Sequence, residues 1–179
     1  MKTNKFASAL FGKHILTVCV LCLIALLCPN KAFAQLGRGS YYVHVALDTN
    51  YCLDLHKAVV SDGSNIQLYR SNGTQAQRWY FEPNSDGTYY IRSTINRDYV
   101  LDVKKAVVAD GTNIQLYHFN GTKAQKWYLE RVSPGYYYIK SALNPNYVID
   151  LRKGSVYDGN NIQLYHYNGT KAQRWKINK

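Results

Sequence analysis

The sequence predicts an all-β fold built from three consecutive repeats, and three observations support this prediction. The segment Asn-Ile-Gln-Leu-Tyr occurs at residues 65–69, 113–117 and 161–165. A Gln-x-Trp segment occurs at residues 77–79, 125–127 and 173–175, again at intervals of 48 residues. Such self-similarity at a constant period is typical of repeat architectures. Within each repeat the apolar residues alternate with period two, which is the spacing of strands and not of helices.

Each repeat contains four predicted strands. In the first repeat, β-branched and aromatic residues cluster at residues 41–47, 51–56, 65–70 and 78–82. The turns between them are predicted at Asp-Gly pairs (62–63, 110–111 and 158–159) and at Asn-Gly pairs (72–73, 120–121 and 168–169). Glycine and asparagine reach positive φ at low cost, so these pairs are typical of β structure.

Three units of four strands favour a closed threefold assembly. A propeller usually has four or more blades, and an open solenoid would need atypical terminal repeats to cap it. The three repeats here are nearly equally regular, and closure would leave no exposed sheet edge. We therefore predict a β-trefoil of three 48-residue pseudo-symmetric repeats, in which three hairpins cap a six-stranded barrel. Its lobes would span approximately residues 41–86, 87–134 and 135–179.

Residues 1–34 are expected to be a secretory signal peptide that lies outside this fold. Lysines at positions 2, 5 and 13 precede an apolar stretch at residues 15–27, and Ala32-Phe33-Ala34 follows as a small-x-small cleavage site. The stretch is shorter than the roughly 20 residues that a membrane-spanning helix needs, which disfavours the alternative of an uncleaved membrane anchor. We therefore expect a secreted, extracellular domain at residues 35–179 that does not insert into a membrane.

Charge and cysteine content limit the function classes. Residues 35–179 carry 18 Lys and Arg against 11 Asp and Glu, a formal net charge of +7 that is dispersed along the chain. Dispersed basic charge indicates solubility and mild attraction to acidic glycans or cell walls, whereas nucleic-acid binding would require a basic stripe. Cys52 is the one cysteine after residue 34 and aligns with Val100 and Val148, so we interpret it as a core residue.

One repeated combination of motifs resembles a known family. Leu53-Asp54-Leu55, Ile66-Gln67-Leu68-Tyr69 and Gln77-Arg78-Trp79 recur in all three repeats. This pattern is similar to the ricin B-chain type lectin domain, which has a Gln-x-Trp motif in each lobe of a β-trefoil. The resemblance covers residues 35–179 and implies carbohydrate binding without enzymatic activity.

Strand alternation predicts which repeated side chains leave the core. Asp54 points away from its apolar neighbours, as do Gln67 and Tyr69 on the next strand, so the three converge on a shallow cup. A carboxylate and an amide pair with sugar hydroxyls, and an aromatic ring covers the apolar C–H face. The resemblance implies these sugar-contacting roles for Asp54, Gln67 and Tyr69, for Asp102, Gln115 and Tyr117, and for Asp150, Gln163 and Tyr165. From the residues alone, structural hydrogen bonds for the aspartates and partly buried positions for the tyrosines remain open.

The Gln-x-Trp motifs supply the remaining roles. The tryptophans Trp79, Trp127 and Trp175 are interpreted as core residues. For Gln77, Gln125 and Gln173 the resemblance implies that the amide holds the aspartate carboxylate in place. The family often has an asparagine immediately before this glutamine, but here the position is Ala76, Ala124 and Ala172.

The alanines remove one expected sugar contact per lobe, unless His118, His166 or a neighbouring asparagine replaces it. The Asn-Gly-Thr asparagines are explained by their turns. Lobes two and three carry His118-Phe119 and His166-Tyr167 where lobe one carries Arg70-Ser71. This extra aromatic surface predicts better binding in lobes two and three.

We therefore predict a non-enzymatic, monomeric lectin for a galactose- or xylose-type glycan or polysaccharide, without cofactor, metal or nucleic acid. The sequence has no nucleophile–base pair, phosphate-binding loop or metal-ligand cluster. The recurrent carboxylates are Asp54, Asp62 and their equivalents, and Asp62 is assigned to its turn, which leaves no glycosidase pair. The alternative is a protein-interaction trefoil, such as a protease inhibitor or toxin-complex partner, that has lost sugar binding; the three alanines favour it.

Overall fold

A computed structural model of the protein describes residues 36–179, so the predicted signal peptide and Gln35 lie outside the described residues. The described residues form twelve strands and contain no α-helix, which confirms the all-β prediction. The strands are β1 (Gly39–Val45), β2 (Tyr51–Leu55), β3 (Ser64–Arg70), β4 (Trp79–Pro83), β5 (Tyr89–Ser93), β6 (Tyr99–Val103), β7 (Thr112–His118), β8 (Trp127–Ser133), β9 (Tyr136–Ser141), β10 (Tyr147–Leu151), β11 (Asn160–His166) and β12 (Trp175–Asn178). Single-turn 3-10 helices occupy His56–Ala58, Gln75–Gln77, Lys104–Ala106, Lys123–Gln125, Arg152–Gly154 and Lys171–Gln173.

Six of the strands close a barrel. Antiparallel pairing runs from β1 to β4, β5, β8, β9 and β12 and returns to β1, so the ring has no free edge. At three joints of this ring a tyrosine lies opposite a tryptophan: Tyr41 opposite Trp79, Tyr89 opposite Trp127, and Tyr137 opposite Trp175.

The other six strands form three hairpins that cap the barrel. The hairpins are β2–β3, β6–β7 and β10–β11, and their second strands β3, β7 and β11 pair with one another. A ring of three asparagine amides closes this contact: Nδ2 of Asn65 donates to Oδ1 of Asn161 (3.0 Å), Nδ2 of Asn161 to Oδ1 of Asn113 (2.9 Å), and Nδ2 of Asn113 to Oδ1 of Asn65 (2.9 Å). A six-stranded barrel capped by three hairpins is the β-trefoil arrangement.

The core contains the three tryptophans. Trp79, Trp127 and Trp175 are fully buried. Each indole N–H donates to a backbone carbonyl 26 residues upstream, those of Leu53 (3.1 Å), Leu101 (3.2 Å) and Ile149 (3.0 Å). A buried indole with its one polar group satisfied is a packing residue, so none of them can serve as an exposed sugar platform.

Cys52 lies in the same interior. Its side chain is fully buried and forms no disulfide. Burial, assisted by the nearby Asp54 carboxylate, raises the pKa of the Cys52 thiol to about 12. A thiol that stays protonated is a poor nucleophile, so Cys52 acts as a small apolar core residue.

Candidate functional site

Three open cups lie on the surface, one beside each hairpin. Cup one adjoins β2 and β3, cup two adjoins β6 and β7, and cup three adjoins β10 and β11, with volumes of about 460, 500 and 330 Å³. Six lining residues are identical in type in the three cups: an aspartate, a lysine, a tyrosine, the Asn and Thr of Asn-Gly-Thr, and the alanine before Gln-x-Trp. In that order they are Asp54, Lys57, Tyr69, Asn72, Thr74 and Ala76 in cup one, Asp102, Lys105, Tyr117, Asn120, Thr122 and Ala124 in cup two, and Asp150, Lys153, Tyr165, Asn168, Thr170 and Ala172 in cup three.

Each aspartate is hydrogen-bonded to the glutamine predicted to act with it. The strand register sets Asp54 opposite Gln67, and the other two pairs match it. The glutamine Nε2 donates to the carboxylate Oδ1 at 2.8 Å for Gln67–Asp54, 2.9 Å for Gln115–Asp102 and 2.8 Å for Gln163–Asp150. Gln67 and Gln115 also line their cups, whereas Gln163 does not line cup three and contacts the site through Asp150.

The three aspartates are more buried than strand alternation predicts. They do point away from the apolar core, but each is only 5% exposed. Burial raises the pKa of Asp54, Asp102 and Asp150 above the ordinary value of 3.8, and the two glutamine amides near each carboxylate partly offset this effect. Each carboxylate therefore carries its charge at a desolvation cost, and it is held ready to accept a hydrogen bond from a ligand.

Cup one also includes the turn of a neighbouring lobe. Gly159, in the Asp-Gly turn of lobe three, lines cup one, and a Cβ there would lie 3.9 Å from Gln67 Oε1. The carboxylate of Asp158 accepts a hydrogen bond from the backbone N–H of Arg70 at 2.8 Å. Asp62 and Asp110 bind the backbone N–H groups of His118 (2.7 Å) and His166 (2.8 Å) in the same way. The sequence assigns Asp62 to its own turn alone, but its carboxylate links two lobes.

The three tyrosines predicted as sugar contacts lie beside the aspartates and are partly exposed. Tyr69 is 37% exposed, and Tyr117 and Tyr165 are half-buried. All three line their cups beside the aspartate. Each cup therefore combines a hydrogen-bond acceptor at its base with part of an aromatic ring on its wall, and a sugar presents matching hydroxyls and C–H groups.

The glutamines of Gln-x-Trp make their main hydrogen bonds to a loop. Gln77 is fully buried; its Nε2 donates to the carbonyl of Arg70 (2.9 Å), and its Oε1 accepts from the N–H of Asn72 (2.8 Å). Gln125 and Gln173 make the equivalent bonds. Their amides also help to lower the pKa of the aspartates against burial. These residues therefore position the Asn-Gly-Thr loop as well as supporting the carboxylate.

The asparagines of Asn-Gly-Thr, which the sequence explains by their turns, also line the cups. Oδ1 of Asn72, Asn120 and Asn168 accepts from the backbone N–H two residues later, at 3.0, 3.0 and 3.1 Å, which is the turn role. The Nδ2 groups have no hydrogen-bond partner within residues 36–179. Each can therefore donate into the cup where the family's usual asparagine is replaced by alanine. The signal is present in the sequence, because an asparagine lies four residues before that alanine in every repeat.

The lysine shared by the cups is a second residue that sequence reasoning missed. Lys57, Lys105 and Lys153 have φ values of 54–56° and lie in the turn that follows the aspartate strand. This left-handed conformation is uncommon for residues other than glycine and asparagine. Sequence periodicity does not reveal a positive φ at a lysine, so only the structure places these side chains at the cup rims.

The extra aromatic residues of lobes two and three lie outside the cups, so they give no physical reason to prefer those lobes. Phe119 packs edge-on against Tyr90 with ring centroids 4.9 Å apart, and His118 packs against Tyr99 at 5.6 Å. In lobe three, Tyr167 packs against Tyr138 at 4.9 Å. His118 and His166 therefore do not replace the missing asparagine contact.

Metal-ligand clusters and long apolar helices are both absent from the described part of the chain. No group of three or more His, Cys, Asp or Glu side chains within residues 36–179 is arranged to hold a metal ion. No helix in the same range has the length and apolarity to cross a membrane.

Solved structures with this fold include a designed protein, a galactanase and a lectin. The designed threefold-symmetric protein ThreeFoil has a TM-score of 0.75 and 28% identity, over 78% of this chain and 98% of that chain. The exo-β-1,3-galactanase 1,3Gal43A from Clostridium thermocellum has a TM-score of 0.72 and 29% identity, over 80% of this chain but only 30% of that chain. The ricin B-like lectin of Macrolepiota procera, solved with lactose, has a TM-score of 0.66 and 19% identity, over 82% of this chain and 99% of that chain.

A comparison with curated proteins found no match. The sequence profile described as "Ricin-type beta-trefoil lectin domain-like" matches residues 32–117 and 123–179, which include all three Gln-x-Trp motifs. Together with the capped barrel, this match confirms the resemblance inferred from the repeated motifs. The chain belongs to the ricin-type β-trefoil lectin domain-like family.

Proposed function

We propose that the protein is a non-enzymatic lectin that binds glycans through three shallow cups, one in each 48-residue pseudo-symmetric lobe. The observation that carries this proposal is the recurrence of one arrangement: a glutamine-braced aspartate next to a tyrosine, in an open cup, three times. The carboxylate at the base of such a cup can accept hydrogen bonds from neighbouring sugar hydroxyls. Binding of this kind requires no catalytic nucleophile.

Galactose-containing glycans are the first class to test, ahead of xylose-type ones. The solved structure that resembles this chain at 29% identity is a galactanase, although the match covers a minority of that protein. The free Nδ2 groups of Asn72, Asn120 and Asn168 can supply the hydrogen bond that the three alanines are unable to make. A neutral hydrogen bond contributes about 0.5–1.5 kcal/mol, so its absence weakens a cup and does not abolish it.

Export and a monomeric state are part of the same proposal. The lysine-rich start, short apolar stretch and Ala32-Phe33-Ala34 support cleavage before Gln35 and secretion. Intact-mass analysis of the exported protein should give a chain that begins at Gln35, and light scattering should give the mass of one copy. A secreted chain that retains residues 15–27 would contradict the cleavage prediction.

The decisive experiment is a glycan array probed with residues 35–179, with competition by free sugar. The D102N/D150N variant should lose most of the array signal, because the amide cannot present two acceptor oxygens to a sugar. The control is D98N, which removes one carboxylate charge at an exposed position outside the cups, where the double variant removes two within them. Capture of a protein partner that free sugar does not compete would instead support the protein-interaction alternative.

A further inference from the structure

The rim of every cup carries a lysine in a conformation that a lysine adopts at a cost. Lys57, Lys105 and Lys153 all lie at positive φ, two residues beyond the end of the strand that carries the cup aspartate. Residues with a Cβ clash with the following carbonyl in this region, whereas glycine does not. Strained positions of this kind persist where the surroundings or the function require them.

The adjacent position shows that glycine is compatible with this turn. The next residue is Ala58 in lobe one and Ala106 in lobe two, both also at positive φ, but it is Gly154 in lobe three. Of the two consecutive positive-φ positions, the second is glycine in lobe three. The first is lysine in all three lobes, although glycine would be favoured by the backbone conformation.

These ammonium groups have no anionic partner within residues 36–179. The lysine ion pairs in that range are those of Lys126 with Asp86 and of Lys140 with Glu130, both outside the cups. The charged groups that shift the pKa of Asp102 and Asp150 are other aspartates and not lysines. The lysine charge is therefore separated from the carboxylate at the base, and each cup has an acceptor base and a cationic rim.

Cups two and three carry more of this charge than cup one. Lys104 lines cup two beside Lys105, and Lys171 lines cup three beside Lys153. Cup one has His56 beside Lys57, and lobe one has Gln75 where the other lobes have Lys123 and Lys171.

We propose that cups two and three select anionic glycans, whose hydroxyls bind the aspartate while a carboxylate or sulfate binds the rim lysines. The inference rests on the proposed lectin function and names its ligand class. A galactose-configured uronic acid and a sulfated galactose present the same combination of hydroxyls and negative charge. A charge-assisted hydrogen bond is roughly twice as strong as a neutral one, so the anionic group should dominate selectivity.

The test uses three short probes: tri-galacturonate, its methyl ester, and a sulfated galactan trisaccharide, each titrated into residues 35–179 and followed by NMR. The acid should bind about tenfold more tightly than the ester. The K105Q/K153Q variant should reduce that ratio to about twofold or less. In the parent protein, the resonances that shift on addition of the acid should belong to residues of cups two and three. If sulfate is the preferred anion, the sulfated trisaccharide should bind more tightly than tri-galacturonate.

Non-specific attraction to a basic protein is controlled by R131Q/K179Q, which removes two exposed positive charges outside the cups. This control should keep the acid-to-ester ratio of the parent protein. Equal losses in K105Q/K153Q and in the control, or a parent ratio near one, would overturn the proposal. If D102N/D150N leaves the binding of acid and ester unchanged, the proposed lectin cups themselves are wrong, so the two failures are distinguishable.

Discussion

The three lobes have equivalent cores, but the cup of lobe one contains a hydrogen bond that the other two cups lack. The residue after the cup-aspartate strand is His56 in lobe one and Lys104 or Arg152 in the others. His56 Nδ1 lies 2.8 Å from Gln67 Oε1. Because Gln67 Nε2 donates to Asp54, its Oε1 must be the acceptor and His56 must donate.

This difference leaves the glutamine carbonyl oxygen occupied in lobe one and open in the other two. Within residues 36–179, Oε1 of Gln115 and of Gln163 has no hydrogen-bond partner. Gln115 lines cup two and so offers a ligand an acceptor that cup one lacks, whereas Gln163 does not line cup three. The core residues of the three lobes are nearly identical, whereas single substitutions beside the cups change the groups that a ligand would meet.

The largest expected effect tests the equivalence of the three cores. Trp79→Ala, Trp127→Ala and Trp175→Ala should each lower the free energy of unfolding by about 3–5 kcal/mol, because each removes a fully buried indole. This is a large part of the usual 5–15 kcal/mol stability of a domain. Chemical denaturation measures it. A variant that keeps its stability would contradict the packing role of its tryptophan.

The next effect tests the difference between cups. Single-cup affinity for a monosaccharide should be on the order of millimolar, about −4 kcal/mol, so polysaccharide binding depends on several cups acting together. D102N/D150N should therefore lower polysaccharide affinity by roughly 100-fold, and D102N alone should lower it more than D54N, which should cost about tenfold or less. Calorimetry compares them. Asparagine still accepts the glutamine hydrogen bond, so melting temperatures should change little; equal losses from D54N and D102N would refute the ranking.

Acidification should weaken binding at a higher pH than an ordinary aspartate would predict. The pKa values of Asp54, Asp102 and Asp150 are raised above 3.8 by burial, so these carboxylates protonate, and lose acceptor capacity, earlier as the pH falls. Binding of a neutral sugar should be followed by calorimetry between about pH 3.5 and 7. A midpoint at or below 3.8 would contradict the assignment.

Thermal stability should respond to these aspartates in the opposite sense. A raised folded-state pKa contributes stability that is present below the unfolded pKa and is lost as the pH rises through the folded pKa. Asp86 acts the other way, because hydrogen bonds from Lys126 and Thr88 lower its pKa to about 2 and its contribution is lost in acid. The pH dependence of the melting temperature therefore combines opposing contributions from these aspartates and from Asp86. The pH dependence of sugar binding reports on the cup aspartates alone.

A smaller effect tests the His56 hydrogen bond directly. In a D102N/D150N background, cup one is the remaining intact cup, and H56A should free Gln67 Oε1 to accept from a ligand. The affinity for a neutral galactoside should rise about two- to tenfold, corresponding to one neutral hydrogen bond. NMR titration of the two proteins measures the change. An unchanged or lower affinity would mean that the histidine positions the glutamine and does not compete for it.

The smallest effect concerns the strained lysines. Lys105→Gly should relieve the positive-φ strain and raise the free energy of unfolding by about 0.5–1 kcal/mol, after the entropy that glycine adds to the unfolded chain. Lys57→Gly and Lys153→Gly should behave alike, since all three backbones have the same conformation. Chemical denaturation measures all three, and a loss of stability in any of them would show that the lysine stem contributes packing.

The sequence was sufficient for the all-β fold because patterning and turn chemistry agree in each repeat. It also placed the aspartates and glutamines on opposed strands, since the two segments flank one Asp-Gly turn. It could not place Lys57 and its equivalents, because a left-handed lysine has no periodic signature. The contact of Asp62 with His118 joins residues 56 positions apart, and no local pattern encodes such a contact.

The hydrogen bonds in the ring of Asn65, Asn113 and Asn161 all run in the same direction around the ring. Every amide donates to one neighbour and accepts from the other, so two lobes alone would leave one donor and one acceptor unmatched. An excised lobe carries both halves of this contact and can satisfy them with two copies of itself. A 48-residue fragment should therefore either remain unfolded or assemble as a trimer, and sedimentation of a folded monomer would disprove this. The hydrogen bonds of the cap can therefore all be satisfied by three identical lobes but not by two.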